Sequence, residues 1–364
     1  MPQSRTQSIG GMEFLDLALD DAVGNGPRFL SARLIPARGL MLLQTRARLA
    51  DGREIDVLAA PPPAEAARVL DGGPGDFMGN AAFSFGAAVL APYANRIRGT
   101  YSAHDRTVTT RIGGRELRLP ANGGGKAAGA EQYAIHGLIL ASAAAPVRVE
   151  QEADAISASG RIEAGDFGVG WPSATLLELR WTLRSDELSL QVTARNIGEE
   201  ALPIGIGWHP YFALPSGARE QARMRVPARS RIVVNDYDEV LPTGVIEPVG
   251  GTRFDFRAAG GAQLGGAYLD DCFVDLERNA AGETVSEVVD PAGGHGVRIT
   301  ASSPEVSAIQ TFAPPDRALI VIEPQFNWAN PYGSEWGPGR DTGMALIEPG
   351  GAIEYRVRLE VFMP

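Results

Sequence analysis

Between Leu177 and Val192 the alternation of apolar and polar residues leaves few folds open. Leu177, Leu179, Trp181 and Leu183 share one face, the chain turns near Ser185-Asp186-Glu187, and Leu188, Leu190 and Val192 resume an alternating face. Side chains two apart lie together only on an extended chain, so the pattern predicts an antiparallel hairpin with one buried side. The same period closes the chain in Tyr355, Val357, Leu359 and Val361, behind a turn at Glu348-Pro349-Gly350-Gly351. Asp51-Gly52 and Gly113-Gly114 are further hairpin turns between apolar runs. Only Pro61 to Leu70, with prolines at its start and alanines inside, reads as a helix. With 44 glycines and 26 prolines in 364 residues there are turns for many short strands. The expected fold is therefore all-β, a large antiparallel β-sandwich with a minor helix. No fixed repeat divides the chain, and the Gly/Ala segment 123–130 is the one linker-like stretch. Residues 1–12 read as a disordered leader and 13–364 as a single domain.

Charge excludes some functions. The chain carries 33 basic and 44 acidic residues, a formal charge of −11. Nucleic acid and anionic membranes need a basic footprint, so neither is an expected partner. The only lysine, Lys126, lies in the Gly-rich segment, which argues against Schiff-base chemistry. One cysteine, Cys272, allows no internal disulfide and no multi-cysteine zinc site. Nothing at the start resembles a secretory signal and no apolar run has the length of a membrane span, so the expected compartment is the cytoplasm.

Two polar side chains interrupt apolar runs. His209 sits in Gly205-Ile206-Gly207-Trp208-His209-Pro210-Tyr211-Phe212, and Glu323 ends the run Ala318-Leu319-Ile320-Val321-Ile322. A carboxylate at the end of so apolar a strand is expected to be desolvated, which raises its proton affinity toward that of a general base. His136 lies between Ile135 and Gly137, while His104 and His295 have turn-like neighbours and are expected to be exposed. Asn95 and Arg96 offer fixed hydrogen-bond donors suited to hydroxyl groups, and Arg98 reads as a solvated turn residue. Of Asp270 and Asp271, one is a candidate hydroxyl acceptor. Gln325, Asn327 and Trp328 are expected to add polar and aromatic surface that could stack on a sugar.

Taken in order, these motifs resemble the aldose 1-epimerase (galactose mutarotase-like) family. The resemblance runs from about residue 80 to 362. It is carried by Asn95-Arg96-Ile97 with Gly99, Leu119 with Asn122, Ile135-His136-Gly137, His209-Pro210-Tyr211-Phe212, and Leu241-Pro242-Thr243-Gly244. Asp255-Phe256-Arg257, Asp270 ahead of Phe273, Leu319 to Gln325 and the Glu348 to Gly351 turn complete it. It implies a β-supersandwich with an open sugar cleft and no metal or organic cofactor. It also implies His209 as general acid and Glu323 as general base, with Arg96, His136, Asp270 and the neighbouring Asn95 binding the sugar. Spacing to Phe273 favours Asp270 over Asp271.

The implied activity is interconversion of the α and β anomers of a free aldohexose, in a monomer or homodimer with a small-molecule sugar as its partner. A hexose-6-phosphate 1-epimerase, with Arg96 and Arg98 as the basic cluster, is the nearest alternative. A non-catalytic carbohydrate sensor of the same fold, and a glycoside hydrolase using Glu323 with Asp270 or Asp271, are the others. Leu138, where the family has a second glycine, the Gly-rich insertion and the segment 326–339 depart from the galactose enzymes and bear on which sugar is used.

Overall fold

The alternating hairpin forms as its sequence dictates: Thr175–Arg184 pairs antiparallel with Leu188–Asn196, Trp181 opposite Leu190. A computed structural model describes residues 2–20 and 26–364. The hairpin belongs to a nine-stranded sheet in which Leu188–Asn196 continues onto the closing strand Ala352–Phe362 and then His295–Ala301 and Thr284–Asp290. A twelve-stranded sheet holds the other half of the molecule. Its middle runs Met41–Arg48, Ala87–Leu90, Gly207–Ala213, Leu319–Gln325, Ala308–Ala313 and Leu269–Leu276, all antiparallel neighbours. The Asp51-Gly52 and Gly113-Gly114 turns join paired strands, and the one α-helix among the described residues is Pro63–Val69 with proline at its start.

One apolar core runs through both sheets. Leu177, Leu179, Trp181 and Leu183 from the first meet Trp208, Phe212, Ile320 and Ile322 from the second. Trp181 and Trp208 make an edge-to-face contact at 5.9 Å, an arrangement favoured by the ring quadrupoles. Two polar ties cross between the sheets, Trp181 Nε1 to the Leu40 carbonyl at 2.9 Å and Tyr355 Oη to the Pro324 carbonyl at 2.7 Å. The second fixes the backbone next to Glu323. Because Trp208, Phe212, Ile320 and Ile322 face inward, period 2 sends His209, Tyr211, Val321 and Glu323 to the opposite face of the sheet.

The N-terminal expectation is corrected. Within residues 1–12, Gln3–Ile9 forms a strand paired with Met12–Ala18 at the edge of the twelve-stranded sheet, and residue 1 lies outside the described residues. No helix of the described residues is long and apolar enough to cross a membrane.

Candidate active site

The register that pairs Gly207 with Gln325 and Tyr211 with Val321 places His209 directly opposite Glu323. Cross-strand neighbours on one face have β-carbons about 4.5–5.5 Å apart, so the two side chains must meet. His209 Nε2 lies 3.3 Å from Glu323 Oε1, and both residues are buried, at 4 % and 1 % exposure. They stand in a cavity of about 140 Å³ whose walls include Phe83, Arg96, His136, Tyr211, Asp270 and Phe312.

Neighbouring strands extend the polar row. Gln310 pairs with Glu323 across the next strand, and its Nε2 donates to Asp270 Oδ1 at 2.6 Å. Asp270 Oδ2 accepts from Arg96 Nη2 at 3.3 Å. Arg96 Nη1 donates to Asn95 Oδ1 at 3.1 Å, and Asn95 Nδ2 donates to Gln310 Oε1 at 2.8 Å. Asn95, Arg96, Asp270 and Gln310 thus close a ring of hydrogen bonds that fixes the guanidinium and the carboxylate together. Asn95 holds this ring from behind rather than lining the cavity.

His136 arrives from a loop. Its backbone N–H donates to the Asn95 carbonyl at 3.0 Å, and Asn122 exchanges side-chain hydrogen bonds with the backbone of Ile135 at 2.8 and 3.0 Å. Its φ of +59° is a strained conformation for a residue with a β-carbon. Gly137 follows at φ +80°, where a β-carbon would lie 2.2 Å from the Ala91 carbonyl oxygen. Only glycine allows so close an approach, and it brings the His136 ring edge-on to His209, centroids 4.8 Å apart.

Burial dominates the electrostatics. It pushes the Glu323 carboxyl well above the ordinary range, with Asp270 adding to the rise and Arg96 opposing it. Burial, with a further push from Arg96, lowers His209 to about 3, and it lowers His136 well below the usual histidine value. Asp270 is also raised, mainly by burial against the pull of Arg96. Both shifts favour the neutral forms of His209 and Glu323 over an ion pair. His209 Nδ1, His136 Nδ1 and Glu323 Oε2 have no hydrogen-bond partner among the described residues. Each such atom costs about 1–3 kcal/mol, and a cluster of them marks where a ligand's polar groups would be welcome.

Sequence order misplaced several residues. Gln325, Asn327 and Trp328 are buried away from the cavity: Asn327 hydrogen-bonds the backbone of Ala94 in both directions, and Trp328 packs on Trp336. His295 is buried at 3 % exposure, whereas His104 is exposed. Asp271 turns away to Arg231 and Tyr237. Arg98 is held by both carboxylate oxygens of Glu131, at 2.7 and 2.6 Å. Gln310, Phe83 and Phe312 were not anticipated. A glutamine within the apolar strand Ala308–Ala313 was the available signal for the first; Phe83 had none.

His136, His209 and Glu323 are the described residues whose donor atoms could gather round a metal ion, all within 4.8 Å of one another. A model of the family described as aldose 1-epimerase matches residues 61–350. No curated protein matches the chain by sequence. Among solved structures, a galactose mutarotase-like protein from Clostridium acetobutylicum is similar at TM-score 0.76 and 18 % identity, over 100 % of this chain and 99 % of that one. A galactose 1-epimerase from Lactobacillus acidophilus aligns at TM-score 0.69 and 17 % identity, and an aldose epimerase homologue from C. elegans at 0.68 and 18 %, each over 99 % of both chains. At these identities the likeness is one of fold, and it agrees with the large antiparallel sheets.

Proposed function

The chain belongs to the aldose 1-epimerase family, and on that premise we propose that it interconverts the anomers of a free aldohexose by acid–base ring opening and reclosure. The observation that carries the reading is the buried 3.3 Å contact between His209 Nε2 and Glu323 Oε1 at the floor of a cavity with Arg96, His136 and Asp270 in its walls. A reaction that removes a proton from one sugar oxygen and delivers one to another needs two groups that differ by a proton. The pair holds one proton between two sites, and moving it across the contact changes neither total charge nor proton count.

With the proton on His209, Glu323 takes the proton of the anomeric hydroxyl while His209 donates to the ring oxygen. The C1–O5 bond breaks, C1 becomes an aldehyde, and no free alkoxide forms. Rotation about C1–C2 presents the other carbonyl face. The two transfers then run backwards: Glu323 returns a proton to the carbonyl oxygen, His209 recovers one from the O5 hydroxyl, and the opposite anomer forms. Arg96 and Asp270, locked by Asn95 and Gln310, offer a donor and an acceptor to the sugar hydroxyls.

The hexose-6-phosphate alternative gains nothing from the geometry. Arg98 is charge-paired with Glu131 and Arg96 with Asp270, so both of the anticipated phosphate ligands already have a carboxylate partner. A pure binding module would have no use for an adjacent buried acid and base.

Anomer exchange followed by NMR on D-galactose, D-glucose and glucose 6-phosphate tests this. The expected result is fast exchange on a neutral sugar, lowered about 10²- to 10⁴-fold in both Glu323→Gln and His209→Asn, the size of one positioned proton transfer. Unchanged rates in either variant would sink the mechanism.

A further inference from the structure

Donor atoms from three separate parts of the chain converge at the floor of the cavity. His209 comes from the strand Gly207–Ala213, Glu323 from Leu319–Gln325, and His136 from the loop after Gln132–Ile135. One ligand atom of each lies within 4.8 Å of the other two, and all three residues are more than nine-tenths buried. The fold leaves polar atoms of all three unused. His136 Nδ1, His209 Nδ1 and Glu323 Oε2 have no hydrogen-bond partner among the described residues. Tyr211 beside them is already committed, since its Oη donates to the Phe83 carbonyl at 2.7 Å.

Two imidazoles and a carboxylate are the donor set of zinc and other first-row divalent ions, and open zinc sites hold the ion with three protein ligands and leave a fourth position free. Around a tetrahedral ion with bonds of about 2.1 Å, neighbouring ligand atoms stand about 3.4 Å apart. His209 Nε2 and Glu323 Oε1 already stand at 3.3 Å. A gap of 4.8 Å closes to that spacing by a shift of about 1.4 Å, within reach of the His136 ring turning about its side-chain bonds. Arg96 is the cation that opposes an incoming metal ion, and Asp270, 3.3 Å from its guanidinium, offsets that charge. Magnesium and calcium call for about six or more oxygen ligands. The cavity wall offers them two carboxylates, one of which is already held by Arg96 and Gln310.

We propose that His136, His209 and Glu323 form a site for a divalent transition-metal ion, zinc foremost, and that the bound ion switches the acid–base pair off. An ion held by His209 and Glu323 occupies the lone pairs that would carry protons to and from the sugar, so neither residue can take one up. Removing the ion restores both. The metal site stands on the donor geometry alone, whereas the loss of activity rests on the proposed anomerase reading.

Titration of tag-free protein with zinc chloride, followed by calorimetry and by metal analysis after dialysis, should show one ion per chain. His136→Ala and Glu323→Gln should each weaken binding by more than the roughly 10- to 100-fold that loss of an outer-shell partner costs. His104→Ala, at an exposed histidine outside the cavity, should bind as wild type does. Glu323→Gln keeps the shape of the side chain, and a Tm near that of zinc-free wild type shows that a variant has folded. Anomer exchange on D-galactose should fall about 10²- to 10⁴-fold as zinc saturates the site, the size of one positioned proton transfer, and return on chelation with EDTA. No stoichiometric zinc binding, or binding that His136→Ala and Glu323→Gln both keep, would overturn the site. Zinc bound there with exchange unchanged or accelerated would overturn the switch. If no sugar exchanges even in zinc-free protein, the anomerase reading fails, and the binding measurements still decide the metal site.

Discussion

Gln310 bonds to two members of the hydrogen-bonded ring beside the cavity, and replacing it tests the ring directly. Gln310→Leu shortens the side chain by one atom and removes both its polar atoms. The 2.6 Å bond to Asp270 goes, a hydrogen bond to a charged group worth about 1.5–3 kcal/mol. The 2.8 Å bond from Asn95 goes as well, leaving a buried amide donor unpaired at about 1–3 kcal/mol. The sum, about 2.5–6 kcal/mol, is a large share of the roughly 5–15 kcal/mol that holds a protein folded. The lower half of that range is the expected cost, because Asp270 has an escape. Burial already raises its carboxyl, the Gln310 bond is one of the contacts holding it down, and losing that bond shifts the carboxyl further toward its protonated form. A protonated Asp270 accepts a sugar hydroxyl weakly and no longer neutralises Arg96. Calorimetric unfolding should therefore show a Tm lower by roughly 5 °C. Steady-state kinetics should show KM raised about 10- to 100-fold with kcat nearly kept, since losing a charged hydrogen bond at 1.4 kcal/mol per decade falls in that range and the His209–Glu323 contact is untouched. A variant with wild-type Tm and KM would refute the idea that the ring is held from this strand.

Two further outcomes follow from the same geometry. The pair works while it holds one proton, so activity should fall as pH drops through about 3, where neutral His209 gains a second proton, and fall again at high pH, where Glu323 loses the shared one. A kcat/KM profile with its acid limb near 6.5, the value of an unburied histidine, would show that burial does not govern the pair. Gly137→Ala sets a β-carbon 2.2 Å from the Ala91 carbonyl oxygen at φ +80°. Strain of at least about 1 kcal/mol from the backbone alone is expected, with the clash on top, lowering Tm and displacing His136; unchanged Tm and sugar affinity would contradict it.

What the sequence disclosed and what it hid have separate physical causes. A strand with one buried face writes its period into the chain, so the hairpins at Thr175–Asn196 and Thr107–Pro120 could be read directly. Gln3–Ile9 could not, because an edge strand that is mostly exposed carries no apolar signal. His209 and Glu323 stood out as polar residues in apolar runs. Gln325 and Asn327 looked like site residues for the same reason, yet both are spent on backbone: Gln325 donates to the Asn327 carbonyl, and Asn327 bonds the Ala94 backbone just before Asn95 and Arg96. His295 shows the reverse error, since polar neighbours in sequence suggested a turn and the strand His295–Ala301 buries it.

The pairing of His209 with Glu323 lay beyond any local pattern, because it depends on the register of two strands more than a hundred residues apart. That register is nevertheless set by the sequence through the opposite face. Trp208, Phe212, Ile320 and Ile322 fill the core between the sheets, and a one-residue slip would turn Trp208 outward and His209 inward. Exposing one indole and burying an unpaired imidazole would each cost about 1.5–3 kcal/mol, repeated at every alternate position along the strand. The apolar alternation that folds the sheet is thus the same constraint that holds the acid and the base 3.3 Å apart. Changes to the core beneath His209, such as Trp208→Ala, should loosen the site from a face no substrate touches.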